Sequence, residues 1–179
     1  MSNSIHLIKP LPTTGLSCGY PENKILELIQ KLKHRIAACI KDDPIIELLE
    51  VKDANLIPLL IEALKAPEDN IRLGVARTLG ILEDKRTIMP LIELLKDEDH
   101  YVRATAANSL KNFKDIRAVK PLIECLNDEA SEVRRSAAIA LGWIDSQEAI
   151  DALKAIVSNS DETTREAAKA MLRRIKETV

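Results

Sequence analysis

Four arginines form the most regular polar feature of the sequence. Arg72, Arg103, Arg134 and Arg165 each follow the last by 31 residues, and we call them the arginine ladder. A row of guanidinium groups could follow a phosphate backbone, because each planar group donates several hydrogen bonds in a fixed geometry. The same geometry suits a structural role, in which each arginine binds a turn carboxylate or the carbonyl groups at a helix end.

The charge balance favours the structural role of the arginine ladder. The chain has 26 basic and 28 acidic residues, which gives a formal net charge of −2. Nucleic-acid binding depends on an excess of positive charge, so we expect no nucleic-acid partner. We expect each arginine to bind an acid in a nearby turn, for example Arg103 with Asp84 and Arg134 with Asp115.

The histidines and cysteines, which could bind metals or act as nucleophiles, are few and scattered. They are His6, His34, His100, Cys18, Cys39 and Cys125. Metal sites and disulfide frameworks show such residues at short, regular spacing, and no glycine-rich phosphate loop is present either. We therefore predict a non-enzymatic protein with no cofactor, in the reducing environment of the cytoplasm.

The apolar residues share the spacing of the arginines. Leu79, Leu110, Leu141 and Leu172 are also 31 residues apart. Hydrophobic residues make up 46% of the chain but aromatic residues only 2%, a composition that favours closely packed helices. A fixed period of this size indicates stacked repeats, in which each unit buries its apolar face against its neighbours.

Helical spacing of the apolar residues predicts two helices per period. The A helices contain the arginines and are expected at about 70–82, 101–113, 132–144 and 162–176. The B helices are rich in leucine, and the first of them is expected at about 54–65. Small residues such as Ala107 and Ala138 should let successive A helices approach closely. Gly80 and Gly142 follow the periodic leucine and are interpreted as C-terminal stops of their helices.

A repeated phrase identifies the type of repeat. Val-Arg-x-x-Ala-Ala-x-x-Leu occurs from Val102 to Leu110 and again from Val133 to Leu141, and a Pro-Leu-Ile-Glu helix follows the first of these. The pattern resembles the HEAT repeat, in the short form named after phycobilisome lyases. The resemblance implies an all-α solenoid of about four to five stacked helical hairpins. It also implies A helices on the convex face and B helices lining a concave binding face.

The repeat pattern divides the chain into an N-terminal arm, residues 1–20, and a solenoid, residues 21–179. The predicted repeats are roughly 21–68, 69–99, 100–130 and 131–161, with a terminal helix at 162–176. The arm either covers the first helix or is exchanged with another chain, which would make the protein a monomer or a weak homo-oligomer. Residues 44–51 could be a helix or a turn. No segment has transmembrane length and the start does not resemble a signal peptide, so we expect no membrane partner.

The outward positions of the B helices are the first candidates for a partner-binding surface. Together with one A-helix residue, the candidates are Glu62, Met89, Glu93, Lys96, Lys120, Glu124 and Trp143. Their mixed charge suggests a modest, polar interface. Trp143 either packs at its turn against the next repeat or serves as an exposed anchor.

These observations favour a scaffold or adaptor that binds a protein partner on its B-helix face. The name of the resembling repeat suggests one alternative, a bilin lyase subunit or a related chaperone. A nucleic-acid-binding HEAT-like protein is the second alternative.

Overall fold

A computed structural model describes residues 56–177, in which every regular element is helical. The helices are α1 (Leu56–Ala63), α2 (Asp69–Leu82), α3 (Ile88–Glu93), α4 (His100–Phe113), α5 (Val119–Cys125), α6 (Ser131–Ile144), α7 (Gln147–Asn159) and α8 (Glu162–Glu177). Short 3-10 turns lie at Lys85–Thr87, Leu94–Lys96 and Ile116–Ala118. The predictions for the arm, for most of the first repeat (21–68) and for residues 44–51 fall outside the described residues.

The predicted solenoid is confirmed. The B helices α1, α3, α5 and α7 alternate with the A helices α2, α4, α6 and α8, and each B helix packs chiefly against the A helix that follows it. The A helices begin and end within one residue of the predicted bounds. Their bounds were predictable because the apolar stripe that defines them is buried in every repeat.

The core follows one stripe along each A helix. In α2 this stripe is Ile71, Val75 and Leu79, and all three are at most 1% exposed. The residues one and two periods later, which are Val102, Ala106, Leu110, Val133, Ala137 and Leu141, are fully buried. Residues four apart share one face of a helix, so this stripe packs against the B layer and the neighbouring repeats.

The interpretation of Gly80 and Gly142 as helix stops is wrong. Helices α2 and α6 continue two residues beyond each glycine, to Leu82 and Ile144. A Cβ atom on Gly80 would lie 2.5 Å from Oγ and 2.6 Å from Cβ of Ser109, on the next A helix. A side chain at Gly80 would therefore force α2 and α4 apart, and the glycine provides a close approach between helices.

The residues that end the A helices have a left-handed backbone conformation and lie beyond these glycines. Glu83, Lys114 and Asp145 have φ between 50° and 54°. Each follows the last residue of its helix, and for Glu83 and Asp145 the backbone N–H donates to the carbonyl four residues earlier. The helix therefore closes with an ordinary left-handed cap that a non-glycine residue occupies.

The A helices are packed more closely than the B helices. Successive A helices contact each other along their length, whereas successive B helices touch at only a few positions. In a stack of hairpins, the layer with the smaller spacing lies on the inner side of the curve. This packing favours a concave A layer, opposite to the arrangement expected from the resemblance.

Candidate partner-binding surface

The arginine ladder occupies the edge of the solenoid where B helices lead into A helices. Nε and Nη2 of Arg72 each donate to a carboxylate oxygen of Asp97 at 2.8 Å, and Nη1 donates to the carbonyl oxygens of Ala66 and Pro67. The Arg72 and Asp97 side chains are 7% and 8% exposed. Arg72 therefore joins the turn that precedes its own helix to the turn of the next repeat.

The same contacts recur one period later. Arg103 binds Asp128 at 2.8 and 2.9 Å and the carbonyls of Asp97 and Glu98. Arg134 binds Asp161 at 2.8 Å, but these side chains are more exposed, at 20% and 31%. Arg165 makes one longer bond, 3.4 Å from its Nη1 to the Ser160 carbonyl oxygen.

The carboxylate partners differ from those we expected. Arg103 and Arg134 bind an acid of the following turn, and the expected pairs with Asp84 and Asp115 are not formed. Asp84 and Asp115 instead bind Arg86 and Arg117, two residues further along, and accept from the backbone N–H of the same arginines. Both acids thus cap the 3-10 turn of their own repeat.

The buried pairs change the acidity of their members. Burial alone would raise the pKa of Asp97, but hydrogen bonds from Arg72 and from the Asp99 backbone N–H hold that pKa below its ordinary value. Arg103 and the Ala130 backbone N–H lower the pKa of Asp128 in the same way. Because the donors of Arg72 and Arg103 are used within the solenoid, these guanidinium groups are poorly placed to bind an external phosphate.

Six of the seven candidate partner-binding residues share the outward side of the B helices. We call this side the B face, and all six of its candidates are exposed: Glu62, Met89, Glu93, Lys96, Lys120 and Glu124. The seventh, Trp143, lies near the C-terminal end of the A helix α6. The structure therefore does not bring Trp143 together with the others.

A second surface is formed by the A helices. Each A helix has three outward positions, and together these positions form what we call the A face. The first position is held by Asn70, Tyr101, Glu132 and Thr163, and the second by Arg77, Asn108, Ile139 and Ala170. The third is held by Ile81, Asn112, Trp143 and Arg174. None of these residues is buried. Three large apolar side chains stand out there, because Ile81, Tyr101 and Trp143 are 43%, 55% and 38% exposed.

Trp143 is held in place by two cations. The guanidinium carbon of Arg174 lies 4.4 Å from the ring centroid, and Nζ of Lys114 lies 5.6 Å from it. Arg174, on the next A helix, also donates to the carbonyl oxygen of Gly142. Such contacts fix the orientation of the ring while leaving part of it exposed. Trp143 therefore combines both expected features, packing against the next repeat and partial exposure.

The two faces differ in how strictly they follow the repeat. On the B face, one position is glutamate in three successive repeats, at Glu62, Glu93 and Glu124. On the A face, no position keeps its residue type from one repeat to the next. The A face could have been found from the sequence, because residues one period apart on it, such as Ile81, Asn112 and Trp143, differ in type.

The described residues offer little for catalysis. In the part of the chain from 56 to 177, no group of three or more histidine, cysteine or acidic side chains is placed to hold a metal ion. Burial raises the pKa of the Cys125 thiol to about 11, which disfavours the nucleophilic thiolate. No helix in the same part is both long and apolar enough to cross a bilayer.

Two depressions on the surface of the described residues are shallow. One of about 680 Å³ lies at the edge of the arginine ladder, between Asn70 and the acidic residues Glu68, Asp69, Glu98 and Asp99. Another of about 150 Å³ lies between α3 and α5 beside Cys125. Neither resembles the deep, mainly apolar pocket that small-molecule ligands usually occupy.

Sequence comparison decides the family. A profile of HEAT repeats matches residues 30–100 and 88–173. The chain belongs to the HEAT-repeat family. No curated protein matches this sequence significantly.

Solved structures support the same fold. A chain in the complex of CpcE and CpcF of phycocyanin lyase from Nostoc sp. PCC7120 is 21% identical, with a TM-score of 0.70 over 86% of this HEAT-repeat protein and 98% of that chain. A computationally designed armadillo repeat protein for modular peptide recognition is 15% identical, with a TM-score of 0.53 over 86% of this chain and 94% of that one. At these identities the likeness concerns the fold alone.

Proposed function

We propose that this HEAT-repeat protein is a non-enzymatic scaffold that binds a protein partner through the A face. The observation that carries the proposal is the exposure of Ile81, Tyr101 and Trp143 on one layer of helices. Large apolar and aromatic side chains are the residue types that contribute most to protein–protein binding. On a stable helical framework they need little reorganisation to bind.

The surroundings of these side chains support a specific, polar-rimmed interface. Asn108 and Asn112 lie between them on α4, and Arg77 and Glu132 add charges of both signs. Interfaces commonly combine a few apolar anchors with such a polar rim. Because the residue types on the A face differ from repeat to repeat, this face can distinguish one partner from another. A row of identical glutamates discriminates less between partners.

An affinity capture experiment with two matched variants tests the proposal. The full-length protein and each variant are used to retain proteins from native lysate, which mass spectrometry identifies and quantifies. The A-face variant is Ile81→Ala with Tyr101→Ala, and the B-face variant is Glu93→Lys with Glu124→Lys. All four side chains are exposed, so both variants should keep the fold, as melting followed by circular dichroism would check.

We expect the wild type and the B-face variant to retain the same partner. The A-face variant should retain it at least about tenfold less well, since each anchor of this kind contributes roughly 1 kcal/mol or more. Equal retention by both variants would contradict a role for the A face. Loss only with the B-face variant would instead favour the B-helix surface expected from the sequence.

The similarity to the CpcE–CpcF complex of phycocyanin lyase raises a pigment-related alternative. A bilin bound to a protein changes its absorbance spectrum, so titration of a free bilin with the protein separates the two functions. We expect no spectral change, because the larger depression is shallow and lined mostly by polar side chains, and the smaller one holds only about 150 Å³. A saturable change would favour the alternative.

A further inference from the structure

The outward side of α8 departs from the repeat at one position and carries a second cation one turn further along. In the other A helices, the side that faces the following A helix holds fully buried alanines, Ala76, Ala107 and Ala138. One period after Ala138, helix α8 has Lys169. One period after Gly142 it has Arg173, at the position that Lys111 holds in α4. A further helix stacked in parallel, as the repeats are, would have to bury Lys169 where the other A helices have a fully buried alanine, at a cost in free energy.

The charges on this side of α8 are ordered along the helix. Glu162 and Glu166 lie in its first half, and Arg173 and Lys176 lie in its second half, all four exposed. Lys169, near the middle, binds Glu166 at 2.8 Å within the same helix. These residues are three or four apart and so form one stripe, which we call the end face.

The order of the charges makes the end face complementary to itself on either side of Lys169, which lies at its middle and is paired with Glu166 of its own helix. Residues 166 and 173 lie at equal distances from the middle of the stripe. Residues 162 and 176 also lie at equal distances from it, to within half a residue. In an antiparallel pair of α8 helices, Glu166 of each copy comes opposite Arg173 of the other, and Glu162 comes opposite Lys176. A parallel pair would instead place like charges together.

Apolar side chains next to the end face are incompletely covered by the described residues. Leu172 is half-buried, whereas Leu79, Leu110 and Leu141, at the same position of earlier repeats, are fully buried. Val157 on α7 is likewise half-buried, while Leu95 and Leu126 at its position are at most 4% exposed. A second helix against α8 would cover these apolar groups and gain free energy from their burial.

We propose that the end face binds the end face of a second copy of this chain. The two α8 helices lie antiparallel about a twofold axis near Lys169 and Ala170, and the two solenoids join end to end. Each ion pair occurs twice, because the twofold axis repeats every contact. Of the A face, Ala170 lies near this axis, whereas Ile81 and Tyr101 lie on α2 and α4 and stay accessible in both copies.

Charge reversal tests the dimer directly. The association state of the full-length protein is measured by sedimentation equilibrium over a range of concentrations. Arg173→Glu places a second carboxylate opposite Glu166 of the other copy, and Glu166→Arg places two arginines together. We expect each variant alone to dimerise at least about tenfold more weakly than the wild type, since two pairs change from attraction to repulsion. Glu124→Arg, an exposed reversal on α5, is the matched control and should leave dimerisation unchanged.

An equimolar mixture of the two variants completes the test. Each variant then supplies the charge that the other lacks, so the mixture should form a heterodimer with about the affinity of the wild type. Its recovery also demonstrates that both variants are folded. A wild type that stays monomeric at every concentration would overturn the proposal, and the charges of α8 would then serve only to complement its helix dipole. A dimer that resists both reversals, or a mixture that stays monomeric, would overturn it as well.

Discussion

The two edges of the solenoid connect neighbouring repeats through different contacts. At the edge of the arginine ladder, Arg72 and Arg103 each bind a carboxylate of the following turn. At the opposite edge, the A helices meet directly, and Ser109 and Asn112 of α4 donate to the carbonyl oxygens of Ala76 and Gly80. Arginine–aspartate pairs also occur at this second edge, but they stay within one repeat.

The comparison shows that an ion pair can recur with the period of the repeat and still contribute little to stability. Arg86 and Arg117 recur with the period as the ladder does, yet more than half of each side chain is exposed. Exposed ion pairs contribute little to stability, whereas breaking a buried pair leaves an uncompensated charge. At the second edge, the connection depends instead on close approach, which requires the absence of a side chain at Gly80. The two edges should therefore respond to different substitutions.

The largest expected effect is at the arginine ladder. Arg103→Ala removes the guanidinium donors from the carboxylate of Asp128 and from two turn carbonyls, and we expect it to lower the free energy of unfolding by about 3–5 kcal/mol. Arg117→Ala is the matched control at the other edge and should have little effect. Urea unfolding of both variants gives the comparison. Equal losses would contradict the distinction between the two edges.

The next effect is steric and belongs to the second edge. Gly80→Ala introduces a Cβ atom 3.0 Å or less from three atoms of Ser109, so the two helices must separate. Overpacking of this kind costs about 1–3 kcal/mol. Lys111 occupies the same position of the next repeat and already carries a Cβ atom, so Lys111→Ala is the control. A Gly80→Ala protein as stable as the wild type would show that close approach is not required.

A smaller effect is expected from the hydrogen bonds at that edge. Asn112 donates to the Gly80 carbonyl oxygen at 2.8 Å from a partly exposed position. Asn112→Ala should lower the free energy of unfolding by about 1 kcal/mol, because water replaces the lost donor. Asn108→Ala, one turn earlier on the exposed side of α4, is the control. A loss as large as that of Arg103→Ala would mean that a neutral hydrogen bond at this edge contributes as much to the free energy of unfolding as the buried ion pair does.

The sequence predicted the A helices and the solenoid because a buried apolar stripe must recur wherever helices stack. It did not predict the partners of the arginines. Arg103 has acids in the turns on either side, and only the stacking of repeats decides that Asp128 is the nearer one. It also did not predict the role of Gly80, since a glycine near a helix end can serve either as a cap or as a contact site. Exposure of Ile81 and Tyr101 likewise depends on which side of the A helix faces the B layer.

The smallest expected effect is on how much the free energy of unfolding falls at acidic pH. It distinguishes the charged contacts of one edge from the neutral contacts of the other. The pKa of Asp128 is lowered from 3.8 in the folded protein, so its pair with Arg103 stabilises the fold above that value and loses this contribution as the pH falls below it. The free energy of unfolding should therefore decrease less between pH 5 and pH 3 in Arg103→Ala than in the wild type. Asn112→Ala, which removes a neutral contact, should keep the wild-type decrease. Urea unfolding at the two pH values measures both, and a flattened response in Asn112→Ala would contradict a purely neutral connection at the second edge.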